Sequence, residues 1–249
     1  MSLLADADGS LWVGTLGGGL NHFDPRTEKF TRYQNDPNDP TSLLENQVTY
    51  ILRDPDERLW VGNFLGLSRL DPGASGFVNY PMSAPPVSLK SIEDDLWIGT
   101  WGGGVSRLAL TDPNLDPDQA TFSTLMNDPA NPNSLSENSA WSFAQTNDGF
   151  VWIGTQGGLN RYDPKTGDFK VYREKDGLRN STVLTVNLDS QGFLWLTTNN
   201  GLAKFDPQTE TFRIYDKSDG LQGNEFNSNA AFFSHSTGDM YVGGVNGFS

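Results

Sequence analysis

Short apolar runs alternate with turn residues along the whole chain, and one apolar phrase of five residues keeps recurring. Its clearest copies read aliphatic–Trp–aliphatic–Gly–Thr, so that a large and a small side chain share one face of a strand at period two. The aromatic residues of the copies are Trp12, Trp60, Trp97, Trp152, Trp195 and Tyr241. Their spacings of 48, 37, 55, 43 and 46 residues indicate stacked supersecondary units rich in β-strand.

The fourth copy shows most clearly what one unit contains. An apolar and small stretch at 138–144 predicts an inner strand, and a turn signal at 146–149 leads into a second strand at 150–155. A third strand is expected at 159–162 and an outer strand at 169–172. Each unit is therefore predicted to be a sheet of four antiparallel strands.

The pattern predicts an all-β fold, a β-propeller built of four-stranded antiparallel blades. We expect a single array over residues 1–249 with about six blades, which either closes with fewer blades than usual or is a fragment of a seven-bladed ring. The predicted blade segments are about 4–33, 46–80, 87–123, 138–172, 180–215 and 226–249. Counting three strands in the first unit and two in the last gives about 21 strands, which indicates a piece of a longer protein.

The linkers that enter the inner strands are of two kinds. The stretches 35–46 and 127–138 match each other closely, and both end in Ser-x-x-Glu, a capping-box pattern that predicts one helical turn in each. The shorter linkers contain Asp-Gly-Leu at 176–178 and 219–221.

These phrases together resemble the two-component regulator propeller repeat. The resemblance is carried by Asp-x-x-Gly-x-Leu-Trp-[Val/Ile]-Gly-Thr, as at 6–15, followed by Gly-Gly-Leu-x-[Arg/His]-[Phe/Tyr]-Asp-Pro-x-Thr, as at 157–166. It covers nearly the whole chain. It implies a periplasmic sensor region of an inner-membrane receptor, held in the membrane by segments outside this chain, with a histidine kinase or similar output module also outside it. It also implies a ligand such as a glycan fragment.

Composition narrows the classes of partner. The formal net charge of −14 repels phosphate backbones and anionic lipid headgroups, so we expect no nucleic acid and no direct membrane contact. The chain has no cysteine, which excludes thiol catalysis and disulfides. The expected partners are an oligosaccharide or another small molecule, and a second copy of the propeller.

No catalytic motif is found. Gly-x-Ser-x-Gly and His-Glu-x-x-His are absent, and His22 and His235 are the only histidines. Ten of the fourteen prolines follow Asp, which predicts that those carboxylates form turns. Ala7 occupies the position at which an Asp box would need its carboxylate. We predict no catalytic residue, no metal and no cofactor. The alternatives are a dimerisation scaffold without a ligand and, less favoured, a lyase-like propeller enzyme.

Candidate ligand residues come from the turns between second and third strands and from the linkers, which share one face of a propeller. Trp101 stands where the other units have Leu16, Gln156 and Asn199, and an exposed indole can stack on a sugar or a partner side chain. Trp141 lies on an inner strand, where it fills or lines a central channel. The predicted ligand-binding residues are Trp101, Phe64, Trp141, Arg179 and Asn200.

Overall fold

The computed structural model describes residues 2–111, 115–234 and 237–249, and their regular structure is almost entirely β-strand. The strands are β1 Ser2–Ala5, β2 Leu11–Gly14, β3 Leu20–Asp24, β4 Lys29–Tyr33, β5 Val48–Arg53, β6 Leu59–Asn63, β7 Gly66–Leu70, β8 Val78–Pro81, β9 Pro86–Ile92, β10 Asp95–Thr100, β11 Val105–Ala109, β12 Phe122–Leu125, β13 Ala140–Gln145, β14 Val151–Thr155, β15 Gly158–Tyr162, β16 Phe169–Tyr172, β17 Val183–Leu188, β18 Leu194–Thr198, β19 Gly201–Asp206, β20 Thr211–Tyr215, β21 Phe226–Phe233, β22 Met240–Gly244 and β23 Gly247–Phe248. Two 3-10 turns, Glu174–Asp176 and Lys217–Asp219, lie within the linkers that follow β16 and β20. Over the described ranges, no helix has the length and apolarity needed to cross a bilayer.

Consecutive strands pair in chain order into six antiparallel sheets, blades 1 to 6, and the fold is the predicted β-propeller. Blades 1 to 5 have four strands each and blade 6 has three. The expected count of about 21 strands was wrong. Ser2–Ala5 pairs with Leu11–Gly14 and gives blade 1 a complete sheet, and Gly247–Phe248 adds a short third strand to blade 6.

Backbone contacts divide the chain into two compact units. Unit 1 is Met1–Thr124, which contains blades 1 to 3, and unit 2 is Leu125–Ser249, which contains blades 4 to 6. The single array over residues 1–249 and its blade segments stay a prediction.

Within each unit, the core lies between neighbouring sheets. In unit 1, Trp12 and Leu20 of blade 1 belong to one apolar cluster with Val48 of blade 2. In unit 2, Trp152 of blade 4 packs with Phe205 of blade 5, with ring centroids 5.4 Å apart. Because successive sheets face each other at close range, burial of this kind supplies most of the stabilisation between blades.

The glycine of the repeated phrase permits this close approach. A Cβ atom on Gly14 would lie 2.4 Å from Val48 Cγ1, and one on Gly154 would lie 2.8 Å from the carbonyl oxygen of Val183. Both distances are shorter than any real contact, so a larger residue would push the next blade away. The Trp-x-Gly pair therefore places one bulky side chain, and two residues later a position without a side chain, against the facing sheet.

The repeat tryptophans are held by a hydrogen bond that the motif search did not anticipate. In four of the five, the indole Nε1–H donates to a side chain six residues earlier, at the start of the preceding turn. The pairs are Trp12 to Asp6 at 2.8 Å, Trp60 to Asp54 at 2.8 Å, Trp152 to Thr146 at 3.0 Å and Trp195 to Asp189 at 2.8 Å. A buried donor without an acceptor costs about 1–3 kcal/mol, so this bond fixes the indole in the core.

A cation or an imidazole on the third strand covers the indole in four blades, three of which also have the indole hydrogen bond. These residues lie directly opposite the tryptophans in the antiparallel register. The stacked pairs are His22 on Trp12 at 4.2 Å, Arg69 on Trp60 at 5.8 Å, Arg107 on Trp97 at 4.7 Å and Lys204 on Trp195 at 5.2 Å. Cross-strand pairs of this kind stabilise a sheet, and the cation also gains from the ring face.

Four of the five repeat tryptophans are buried in the core, and Trp195 is partly buried. Trp12, Trp60, Trp97 and Trp152 are 6%, 0%, 2% and 1% exposed. Tyr241, the aromatic residue of the sixth copy, is 47% exposed. In blade 6 the third strand pairs only with Gly243 and Gly244, and it therefore leaves Tyr241 uncovered.

The turn role of the Asp-Pro carboxylates is confirmed. Eight of them accept a hydrogen bond from the backbone N–H two residues later, the geometry of an Asx turn. They are Asp24, Asp36, Asp39, Asp54, Asp116, Asp128, Asp163 and Asp206.

The predicted helical turns in the long linkers were wrong. Ser42 Oγ accepts from the backbone N–H of Asp36, and Glu45 accepts from that of Gln47, so neither closes a capping box. The 3-10 turns lie in the short linkers instead. There, Asp216 and Asp219 bond reciprocally with each other's backbone and Gly220 closes the turn at φ 101.

The indole network predicts a large difference between two tryptophans of unit 1. Trp60→Ala should lower the free energy of unfolding by about 3–5 kcal/mol, because it empties a fully buried site. Trp101→Ala, at a 57% exposed position, should change it by less than about 0.5 kcal/mol. Urea denaturation of the two variants measures both values, and equal losses would contradict the assigned core.

Candidate ligand and contact surfaces

The turns between the second and third strands are rigid. A threonine that ends the second strand donates its hydroxyl to the backbone carbonyl that opens the third. The bonds run from Thr15 to Gly19 at 2.9 Å, from Thr100 to Gly104 at 2.8 Å, from Thr155 to Gly158 at 3.0 Å and from Thr198 to Gly201 at 2.9 Å. Side chains at these turns are therefore presented in defined positions.

Asparagines at the ends of the linkers connect each linker to its own start. The Asn46 side chain accepts from the backbone N–H of Asn35, and Asn138 does the same for Asn127, both at 2.8 Å. Asn224 accepts from Lys217 N–H at 2.9 Å. In these three linkers the closing asparagine is thus a structural latch, which explains its recurrence.

In unit 1, one short linker lies between two turns. The N–H of Met82 donates to the Leu65 carbonyl at 2.9 Å, and the N–H of Trp101 donates to the Pro85 carbonyl at 2.9 Å. A Cβ atom on Gly103 would lie 2.5 Å from the Cβ of Ala84. The turns of blades 2 and 3 are therefore both attached to residues 81–85.

The structure places Trp101 and Phe64 at the turns that follow β10 and β6, and the two side chains differ in exposure. The Trp101 side chain is 57% exposed, whereas Phe64 is only partly exposed and the neighbouring Leu65 is 54% exposed. Leu65 is the exposed apolar residue of this turn, and the sequence analysis did not name it as a candidate. The turn at 63–66 offers two apolar residues, and only the observed backbone decides which of them points outward.

Trp101, Leu65 and the linker between them form what we call the unit 1 apolar surface. It consists of Leu65, Met82, Ala84, Pro85 and Trp101.

In unit 2 the structure brings Arg179 and Asn200 to the same place. The Arg179 side chain passes 3.9 Å from the position of a Cβ on Gly201, next to Asn200. Arg179 Nη1 donates to Asp216 Oδ2 at 2.5 Å, which joins two successive linkers. Asn200 is partly exposed, and its backbone N–H bonds to Thr198. We call Arg179, Asn200 and Asp216 the unit 2 polar cluster.

Asp216 was missed as a candidate because its partner lies 37 residues away in sequence. The guanidinium of Arg179 and the Ser218 hydroxyl and N–H lower the pKa of Asp216 to about 2. The carboxylate is therefore ionised throughout the physiological pH range, and the cluster carries one positive and one negative charge in contact.

Trp141 lies at a β-bulge at the start of the inner strand β13, where the register shifts between Ala140 and Ser142. The residue is partly buried, and its indole nitrogen is buried with no hydrogen-bond acceptor within the described part of the chain. The structure does not bring it into the unit 2 polar cluster, and its ligand role stays a prediction.

The histidine that the structure describes has a packing role, since His22 stacks on Trp12. His235 lies outside the described residues. In residues 2–111, 115–234 and 237–249, no three His, Cys, Asp or Glu side chains are grouped to hold a metal ion.

Comparison with known proteins supports the repeat assignment. Residues 42–64 and 134–157 match the family model of the two-component regulator propeller. Both segments contain a linker end, an inner strand, a second strand and the following turn. These two segments are therefore two-component regulator propeller repeats.

One curated relative is a signalling protein. The chain is 28% identical to Histidine kinase P4 of Formosa agariphila over 176 residues, which cover 69% of this chain and 12% of the kinase. The repeat chain thus spans about an eighth of that relative's length.

Two solved structures share the fold. The extracellular domain of BT3049, described as a hybrid two-component system of B. thetaiotaomicron, is 24% identical with a TM-score of 0.71, and the match covers 99% of this chain and 38% of that one. Virginiamycin B lyase from Staphylococcus aureus is 12% identical with a TM-score of 0.69, covering 97% and 76%. The same propeller architecture therefore occurs in a sensor domain and in an enzyme.

The ion pair in unit 2 leads to a prediction about titration. Since the folded pKa of Asp216 is depressed, the pair contributes stability above the unfolded pKa of about 3.9 and loses it as pH falls towards 2. Arg179→Gln should raise the midpoint of Asp216 towards the ordinary value, because it removes the largest cause of the shift. Carboxyl-carbon NMR titration measures this midpoint. Asp206, whose pKa is lowered mainly by the N–H of Gln208, is the internal control and should not move. An unchanged Asp216 midpoint would contradict the observed contact.

Proposed function

We propose that this chain is the non-enzymatic, ligand-binding propeller of a bacterial two-component receptor, on the extracytoplasmic side of the inner membrane. The observation that carries the proposal is the match of two of its blades to the regulator repeat. The likeness to Histidine kinase P4 and the shared fold with an extracellular sensor domain agree with it. Ligand binding would favour one of two receptor states and so change the output of a module outside this chain.

The proposed ligand is an oligosaccharide, and its proposed site is the unit 2 polar cluster. Arg179 supplies several N–H donors, Asn200 supplies both a donor and an acceptor, and Asp216 supplies acceptor oxygens. Sugar hydroxyl groups donate and accept, so planar polar side chains of this kind suit them. The short linkers and latched turns keep these groups in position before the ligand arrives, which lowers the entropic cost of binding.

The alternative function is a lyase-like enzyme activity, and the positions of the carboxylate and imidazole side chains argue against it. The Asp-Pro carboxylates are engaged in turns, and His22 is stacked on an indole. General acid–base chemistry needs a group within reach of a substrate proton. The fold shared with virginiamycin B lyase does not supply one, because it is a likeness of backbone alone at 12% identity.

The proposal is tested by calorimetric titration of the chain with a panel of oligosaccharides. We expect one class to bind, and Arg179→Ala and Asn200→Ala to weaken that binding at least about tenfold, since a hydrogen bond to a charged group is worth roughly 1.5–3 kcal/mol. Arg26→Ala is the control, because Arg26 is an exposed arginine of unit 1 whose side chain is 85% accessible.

A second variant separates binding from structure. Asp216→Asn removes the charge that holds Arg179 but keeps the arginine itself. If Arg179 contacts the ligand, Asp216→Asn should retain more binding than Arg179→Ala. Equal losses in both variants would show that the ion pair only shapes the linkers, and a panel without any binding would overturn the sensor assignment.

A further inference from the structure

Blade 4 contains two cations that lie side by side on neighbouring strands and share one carboxylate. Arg161 on β15 and Lys170 on β16 are directly opposite each other in the antiparallel register. Like charges in this position destabilise a sheet, so an anion between them is favourable. Glu210, in the turn between β19 and β20 of blade 5, supplies it. Its Oε1 lies 3.5 Å from Arg161 Nη1, and its Oε2 accepts from Lys170 Nζ at 2.5 Å.

A tyrosine completes the surroundings of this carboxylate. The Tyr172 hydroxyl donates to Glu210 Oε1 at 2.8 Å. The Lys170 ammonium and the Tyr172 hydroxyl lower the pKa of Glu210, so the carboxylate is ionised where it contacts the cations. Blade 4 therefore shows what two opposed cations beside a tyrosine bind in this fold.

Blade 5 repeats this arrangement of cations on its own third and fourth strands. Lys204 on β19 and Arg213 on β20 lie directly opposite each other, and we call them the blade 5 cation pair. Each cation covers an aromatic ring, as its counterpart in blade 4 does. The distances from cation to ring centroid are 3.8 Å for Lys204 on Phe193 and 4.8 Å for Arg213 on Tyr215, against 4.5 Å for Arg161 on Phe150 and 5.2 Å for Lys170 on Tyr172.

The blade 5 cation pair differs from blade 4 in its partners. Over the residues that the structure describes, neither Lys204 nor Arg213 forms an ion pair with a carboxylate. Asp206 lies on the same strand as Lys204, but its oxygens accept from the Gln208 N–H and the Thr209 hydroxyl, both at 2.9 Å. Third-strand arginines of three other blades do have a carboxylate partner. These pairs are Arg69 with Asp71, Arg107 with Asp95 and Arg161 with Glu210.

A cavity of about 260 Å³ lies beside the blade 5 cation pair. Both cations line it, together with Thr211 and the rings of Phe193 and Tyr215. Since one water occupies about 30 Å³ in the liquid, the cavity has room for a small organic acid or for the end of an acidic side chain. The rings exclude water from part of the cavity, which strengthens hydrogen bonds between a charged donor and a charged acceptor.

We infer that the blade 5 cation pair is a binding site for a carboxylate, which lies between Lys204 and Arg213 as Glu210 lies between the cations of blade 4. A carboxylate offsets the repulsion between the two cations and accepts a charge-assisted hydrogen bond from each. The formal net charge of −14 disfavours more highly charged anions, so a single negative charge suits this protein. The carboxylate belongs to a small organic acid or to an Asp or Glu side chain of a polypeptide segment, and its chemistry is the same in both.

This site is separate from the unit 2 polar cluster. None of the three residues of that cluster lines the cavity beside Lys204 and Arg213. The carboxylate site can therefore fail while the proposed oligosaccharide site stands, and the reverse also holds.

Titration of the chain, labelled with nitrogen-15, with sodium acetate at constant sodium concentration tests the inference by NMR. We expect saturable shifts of the Arg213 Nε–H and of the backbone N–H groups of Lys204 and Arg213, whereas acetamide, the uncharged analogue, should cause none. Lys204→Gln and Arg213→Gln should each weaken acetate binding at least about fivefold, because each removes one charged donor. Lys165→Gln, which removes the same charge from an exposed lysine of unit 2, should leave it unchanged.

A variant of Glu210 tests the comparison with blade 4. Glu210→Gly removes the carboxylate, and glycine suits the φ of 55 at this turn. Acetate should then also shift the Arg161 Nε–H and the backbone signals of β15 and β16, which should not move in the unaltered chain. Glu210→Gly without such shifts would overturn the argument from blade 4.

A peptide with the sequence of residues 208–211, acetyl-Gln-Thr-Glu-Thr-amide, distinguishes the two sources of the carboxylate. Binding that is tighter than that of acetate, and that is lost when Gln replaces the Glu of the peptide, supports an acidic side chain. Binding no tighter than that of acetate supports a small organic acid.

Absence of shifts at Lys204 and Arg213 in both titrations would overturn the inference. So would equal shifts with acetamide, or an equal loss of binding in Lys165→Gln. The spectrum of each variant also shows whether it is folded, so lost binding is distinguished from lost structure.

Discussion

The structure depends on how blades 1 to 5 each hold one indole. In four blades the N–H of the repeat tryptophan donates to the side chain six residues earlier, and in four blades a third-strand cation or imidazole stacks on the ring. The indole thus connects the first turn, the second strand and the third strand of its blade. The glycine two residues later lets the next sheet approach, so one short phrase specifies both the blade and its packing.

This arrangement occupies the strands with packing between the blades and leaves the turns and linkers to present side chains to solvent. Threonine hydroxyls and asparagine latches hold those segments, which leaves their outward side chains free to differ between blades. At the turns of blades 2 and 3 in unit 1 they are apolar and uncharged, as at Trp101 and Leu65. In unit 2 they are polar, as at Arg179. Similar scaffolds therefore present two different chemistries, one apolar and one polar.

The sequence predicted the fold because the phrase repeats in the strand period and because Asp-Pro pairs mark the turns. The sequence did not reveal that Asp6 and Asp54 accept a hydrogen bond from the tryptophan six residues later. Only the Asp box known from propeller enzymes was considered at these turns, and it places its carboxylate at a different position. Contacts between distant linkers, such as Arg179 with Asp216, leave no local signal. The capping-box pattern at Ser42 led to a wrong prediction, because the Ser42 hydroxyl accepts a hydrogen bond from the backbone N–H of Asp36 and does not cap a helical turn that follows it.

The central claim is that the repeat indoles are hydrogen-bonded core groups while the indole of Trp101 is a surface group. Hydrogen exchange of the indole N–H groups, followed by NMR on tryptophan labelled with nitrogen-15, tests it most directly. Single Trp→Phe variants can assign the resonances. Protection of Trp12, Trp60, Trp152 and Trp195 together with immediate exchange at Trp101 is the predicted result. Rapid exchange at Trp60, whose indole is fully buried against Asp54, would contradict the account.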